Sequence, residues 1–100
     1  MKQVGPVLEN LLKRYNLWQG YQQYLIVESW EKVVGYELGE VTRAKKIENG
    51  VLRVIVKDSV WAYHLSLLKP QLIGKLNNYA GSKVVKDIYF QIDELDKKEN

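Results

Sequence analysis

Val54-Ile55-Val56-Lys57-Asp58-Ser59-Val60-Trp61 is the stretch whose reading decides the fold. Up to Lys57 the period is two: Leu52, Val54 and Val56 alternate with Arg53, Ile55 and Lys57, so the first set faces a core. Asp58 or Ser59 then offers a side-chain oxygen to the free backbone N–H groups of a helix start. From Trp61 the period lengthens: Trp61, Leu65, Leu68, Leu72, Leu76 and Tyr79 follow at steps of four, three, four, four and three. A buried strand therefore runs straight into an amphipathic helix of about five turns. Pro70 lies inside that helix, and because proline lacks an N–H and crowds the preceding turn, a kink or break is expected near Lys69.

On the N-terminal side, residues 41–47 and 51–57 read as a β-hairpin around Asn49-Gly50, since both central positions of a type I′ turn need positive φ. With a two-residue turn, Glu48 pairs with Val51, Lys46 with Arg53, Ala44 with Ile55 and Thr42 with Lys57. Lys46, Arg53 and Lys57 then share the outer face. Arg43 and Lys45 fall on the inner face in that register, whereas a bulge would turn them out. Downstream, Gly81 ends the long helix, and a third strand is expected at 84–92, where Ile88, Phe90 and Ile92 alternate with Asp87, Tyr89 and Gln91.

Two helices precede the hairpin. Pro6 opens the first, whose stripe is Val7, Leu8, Leu11 and Leu12, with Lys13 and Arg14 at the cation-favouring end and Asn16 as its stop. A single stripe implies that it packs as a flap on the body. Gly20 separates it from a second helix over 21–34, with Tyr24, Val27, Trp30 and Val34 on one face, widened by Ile26 and Val33, and Gly35 as the stop. The order α-α-β-β-α-β makes this an α+β domain. Strand–helix–strand favours parallel pairing and the hairpin is antiparallel, so a three-stranded mixed sheet with helices on one face is expected. Residues 1–93 read as one domain and 94–100 as a short polar tail.

One hundred residues, 46% hydrophobic and 27% charged, suffice for one modest core. There is no cysteine, which excludes disulfides and thiolate metal sites and fits a reducing compartment. The longest apolar runs are far short of the roughly 20 residues of a membrane span, and the N-terminus lacks a signal-peptide pattern. The expectation is a cytoplasmic protein with no membrane partner. The net charge of +3 permits a nucleic-acid partner without requiring one, and four of the twelve acidic residues lie in the segment 93–100.

The parts of a catalytic site are missing. His64 stands alone near the edge of the helical stripe, where it reads as a partly buried helix residue rather than a metal ligand. No serine sits in a nucleophile elbow, no phosphate-binding glycine loop is present, and Gly35 to Gly39 forms a GxxxG string only in a turn after a helix. Glu28 and Glu31 read as a solvated helix face. No catalytic residue, metal, cofactor or small-molecule substrate is expected. Tyr15, Trp18, Tyr21 and Tyr24 cluster around the first interhelical loop, as an exposed interface or as a satellite hydrophobic cluster.

The ordered strings Trp30-Glu31-Lys32-Val33-Val34-Gly35, Asn49 through Val56, Asp58-Ser59-Val60-Trp61-Ala62, Leu76-Asn77 and Val84 through Phe90 resemble the DciA family, long catalogued as a bacterial domain of unknown function. The likeness runs over about residues 8–92, nearly the whole chain. It implies a KH-like fold and a role beside the bacterial replicative helicase of DnaB type, as an operator or loader that also binds DNA. The chain lacks the GxxG loop with which KH domains grip single strands. Many family members carry a long basic extension, where this chain has a short acidic-leaning tail. Trp30, Gly35, Gly50, Leu52 and Trp61 read as core and turn positions.

Two classes of function follow. One is a DNA-binding helicase accessory that uses Arg43, Lys45, Lys46, Arg53 and Lys57 against single- or double-stranded DNA. The other is a protein-interaction adaptor whose aromatic N-terminal region or long helix contacts the helicase. An RNA-binding KH-like protein is a third reading.

Overall fold

In the computed structural model, residues 5–95 are described. Their elements are helices α1 (Pro6–Arg14), α2 (Trp18–Glu28), α3 (Trp30–Val34) and α4 (Tyr36–Glu40), strands β1 (Thr42–Glu48) and β2 (Val51–Val56), helices α5 (Ser59–Leu67) and α6 (Lys69–Ala80), and strand β3 (Asp87–Ile92). This is the α-α-β-β-α-β order with the helices subdivided. The sheet order is β1-β2-β3, with β1 antiparallel and β3 parallel to the central β2. Most of the expected polar tail, residues 96–100, lies outside the described residues.

The core sits between the helices and one face of the sheet. Leu52, Val54 and Val56 of β2 are fully buried against Ile26, Trp30, Leu65, Leu72 and Leu76. Asp58 accepts a hydrogen bond from the Trp61 N–H at 3.0 Å and caps α5. The expected break at Pro70 is present: Leu68 separates α5 from α6, and Pro70 falls in the first turn of α6, where its missing N–H does no harm. Gly81 closes α6 in the left-handed conformation (φ 87°). Asn49 (φ 53°) and Gly50 (φ 80°) make the hairpin turn.

Several expectations are corrected. The second helix begins at Trp18 with Gly20 inside its first turn, and it is interrupted at Ser29, whose hydroxyl donates to the Tyr79 hydroxyl at 3.2 Å. Ile26, Trp30 and Val34 are buried as expected, joined by Gln22, while Tyr24 points to solvent. Trp30 anchors this layer, its indole N–H donating to Thr42 Oγ1 at 2.7 Å.

The α1 stripe is not buried: Val7 is 74% exposed and Leu8 and Leu11 are also exposed, because α1 leans only on α2 and not on the body. His64 is exposed, its ring edge-on to Trp61. The third strand starts at Asp87, three residues later than expected. Asn77 captures Val84 and Val85 first, accepting from both backbone N–H groups and donating to the Val85 carbonyl. Ile92, in alternation with Ile88 and Phe90, is exposed at the end of an edge strand.

Candidate nucleic-acid interface

The outer face of the sheet is built by one irregularity. Pairing runs regularly from the turn, Glu48 with Val51, Ile47 with Leu52 and Lys46 with Arg53, and then the register shifts between Ala44 and Lys46. Lys45 is left unpaired as a β-bulge. Ala44 therefore lies opposite Val54, Arg43 opposite Ile55 and Thr42 opposite Val56, in place of the Ala44–Ile55 and Thr42–Lys57 pairs of an unbroken register. Because side chains alternate with period two, the extra residue moves Thr42 and Ala44 to the core face and Arg43 to the outer face. Thr42 is buried there, its hydroxyl donating to the Leu38 carbonyl at 2.6 Å.

The parallel pairing of β3 completes the outer face in rows. Glu48, Val51 and Asp87 form one row, Lys46, Arg53 and Tyr89 the next, and Arg43, Ile55 and Gln91 the third. Arg43, Lys45, Lys46 and Arg53 together line a groove of about 740 Å³ whose apolar floor is Ile55. Ile55 is only 8% exposed although it faces away from the core. Gln91, Asp93 and Glu94 complete the lining of the groove. Lys57, the fifth expected cation, follows the last ladder residue and is exposed outside this groove, its backbone N–H donating to the Val41 carbonyl.

The electrostatics of the face are graded. Lys46 pairs with Glu48 at 3.4 Å, and both side chains are more than half exposed, so the pair contributes little and its cation remains available to an anion. Asp87 pairs with Lys69 of α6 at 3.0 Å. That hydrogen bond, followed by the one from the Ile88 N–H, holds the Asp87 carboxyl below its ordinary value near 3.8. The basic groove thus lies between an acidic row at the hairpin end and Asp93 with Glu94 at the other. Among the described residues, no group of three or more His, Cys, Asp or Glu side chains is placed to hold a metal ion.

Sequence reasoning missed Tyr89. Its ring is exposed, and the Arg53 guanidinium lies 5.4 Å from its centroid. The alternation about Ile88 already turned Tyr89 outward, but only the parallel register sets it beside Arg53. Elsewhere, Trp18 stacks on Tyr21 with Lys13 over the Trp18 ring, while Tyr15 and Tyr24 remain exposed, so the N-terminal aromatics divide between a local cluster and the surface.

The family model described as "Dna[CI] antecedent, DciA" matches residues 3–90, which takes in every helix and most of β3. The chain belongs to the DciA family. That places it in a family linked to DNA replication. Among curated relatives, a UPF0232 protein of Mycobacterium tuberculosis is 27% identical over 85 residues, covering 85% of this chain and 46% of that protein. A UPF0232 protein of Mycobacterium marinum is 26% identical over 83 residues, covering 82% and 44%. This DciA chain spans less than half the length of the curated relatives it matches.

Proposed function

We propose that this chain is a nucleic-acid-binding accessory of DNA replication that works in the cytoplasm beside a DnaB-type replicative helicase, assisting its loading or activity. The observation that carries the DNA part is the bulge at Lys45. It brings Arg43, Lys45, Lys46 and Arg53 to one groove on the sheet face opposite the core. A cluster of cations around an apolar floor suits a phosphate backbone better than a small-molecule substrate, and the reading is of a binding protein, not an enzyme. The family description supports the link to replication. No helix among the described residues is long and apolar enough to cross a membrane.

Four engaged cations give a log K that falls against log salt with a slope of about −3 on a single strand. Fluorescence anisotropy with single- and double-stranded DNA across a salt series tests this. Absence of binding at low salt, or binding unchanged by Lys46→Glu with Arg53→Glu, removes the DNA part. RNA competition in the same titration exposes the RNA-binding reading.

One observation favours the adaptor reading. Val60, Tyr63 and Leu67 recur at three and four residues along α5, and all three are exposed. Such a stripe suits a protein partner. A pull-down with the cognate helicase, with and without single-stranded DNA, separates the readings: helicase capture independent of DNA, with no DNA binding by the chain alone, selects the adaptor.

A further inference from the structure

The basic groove has a neighbour on the same face. Val51, Arg53, Lys69, Asp87 and Tyr89 are among the residues lining a second depression of about 480 Å³, and Arg53 is common to both. In the middle row Lys46, Arg53 and Tyr89 stand side by side on three adjacent strands. Tyr89 is 53% exposed. Its backbone is fixed by the ladder to β2, and its ring is held beside the Arg53 guanidinium at 5.4 Å. Beyond its contact with Arg53, more than half of this large ring is presented to water from a strand, a flat surface next to cations.

We propose that Tyr89, with Arg53 beside it, is the stacking platform for an unpaired base of a single-stranded nucleic acid whose backbone follows the basic groove. This deepens the nucleic-acid reading above and rests on it. Two features select a single strand. A stacked base must offer a free face, and in a duplex both faces of each base are covered by its neighbours. The cationic band is also narrow. It occupies the rows of Arg43 and Lys46, about 7 Å apart along the strands. Glu48 and Asp87 bound it at one end, and Asp93 and Glu94 at the other. One phosphodiester backbone fits that band, and a second strand would run over carboxylates. Arg53 serves both parts, with a planar cation for the ring and N–H donors for the adjoining phosphate.

The test titrates the full chain with a fluorescein-labelled oligothymidylate of about 15 nucleotides and with a duplex of equal length at low salt. Tyr89→Ala is expected to weaken single-strand binding by about 5- to 150-fold and to leave duplex binding within about twofold. Tyr89→Phe keeps the ring face and is expected to bind both like the parent. In Tyr89→Trp, bound oligothymidylate is expected to quench indole fluorescence beyond the quenching seen in the parent. Because Tyr89 is exposed, these variants are expected to melt like the parent. An undiminished single-strand affinity in Tyr89→Ala, an equal loss on both ligands, or no added quenching in Tyr89→Trp overturns the platform and leaves the basic groove standing. A parent chain that binds neither ligand overturns the groove and the platform together.

Discussion

Thr42→Val tests the register of the whole sheet through one buried hydroxyl. Thr42 reaches the core face only because Lys45 bulges out of the ladder. There its Oγ1 accepts from the Trp30 indole N–H at 2.7 Å and donates to the Leu38 carbonyl at 2.6 Å. Trp30 is 3% exposed, so water does not replace a lost partner. Valine keeps the shape and removes the oxygen. The Leu38 carbonyl retains the Val41 N–H, but the indole N–H is stranded. An unsatisfied buried donor costs about 1–3 kcal/mol, and the added methyl returns at most about 0.8 kcal/mol. Even with the full return the net loss is about 0.2–2 kcal/mol, or a fall in Tm of about 1–16 °C for a chain of this size.

Urea denaturation followed by circular dichroism reads the loss as a lower midpoint at unchanged slope. The decisive comparison repeats Thr42→Val in a Trp30→Phe background, which has no indole donor to strand. There the cost is expected to vanish. An equal cost in both backgrounds, or no cost in the parent, would refute the hydrogen bond and the inward facing of Thr42.

Other outcomes follow from the same geometry. Asn77→Ala strips the Val85 N–H and carbonyl of their side-chain partner, while Val84 N–H keeps the Ser82 carbonyl; a loss of about 2–3 kcal/mol is expected in the same urea assay. Deleting Lys45 removes the unpaired residue and leaves Arg43, Ala44 and Thr42 on their observed faces. The variant should stay folded by near-ultraviolet circular dichroism, with its single-strand salt slope reduced by about 0.7. Asp87, whose carboxyl is held low by Lys69, contributes stability present above its ordinary value near 3.8 and lost as pH falls through the lower folded value. The stability difference between the parent and Asp87→Asn should therefore be constant at neutral pH and shrink in acid below about pH 4, as melting curves across pH would show.

Much of the fold was legible because local signals agreed with one another. Asn49-Gly50, the alternation through Val56, a cap at Asp58 or Ser59 and a kink or break at Pro70 are all local signals, and the structure realises each, with Asp58 as the cap and a break before Pro70. What was not legible depends on distant partners. Ser29 ends α2 without proline or glycine, and its hydroxyl meets Tyr79, 50 residues away. Val84-Val85 has the composition of a strand, but Asn77 holds both residues off the ladder. The bulge was an open alternative because Lys45 and Lys46 are the same residue in succession, so no apolar marker shows where the alternation slips. The candidate site depended on that slip: Arg53 and Lys46 were placed outward by alternation alone, while Arg43 and Lys45 needed the bulge and Tyr89 needed the parallel register.

The central claim is that the outer sheet face carries the nucleic-acid contact. It is tested most directly by anisotropy of a labelled single strand with two charge-matched double variants of the full chain. One is Lys46→Glu with Arg53→Glu on the sheet face. The other is Lys32→Glu with Lys75→Glu on the helical side, where both lysines lie beside Tyr79. The two change net charge equally, so general attraction is held constant. The sheet-face variant is expected to lose more than about tenfold in affinity and about half of the salt slope, and the helical variant no more than about twofold. Equal losses in the two variants, or a larger loss in the helical one, would contradict the assignment of the sheet face.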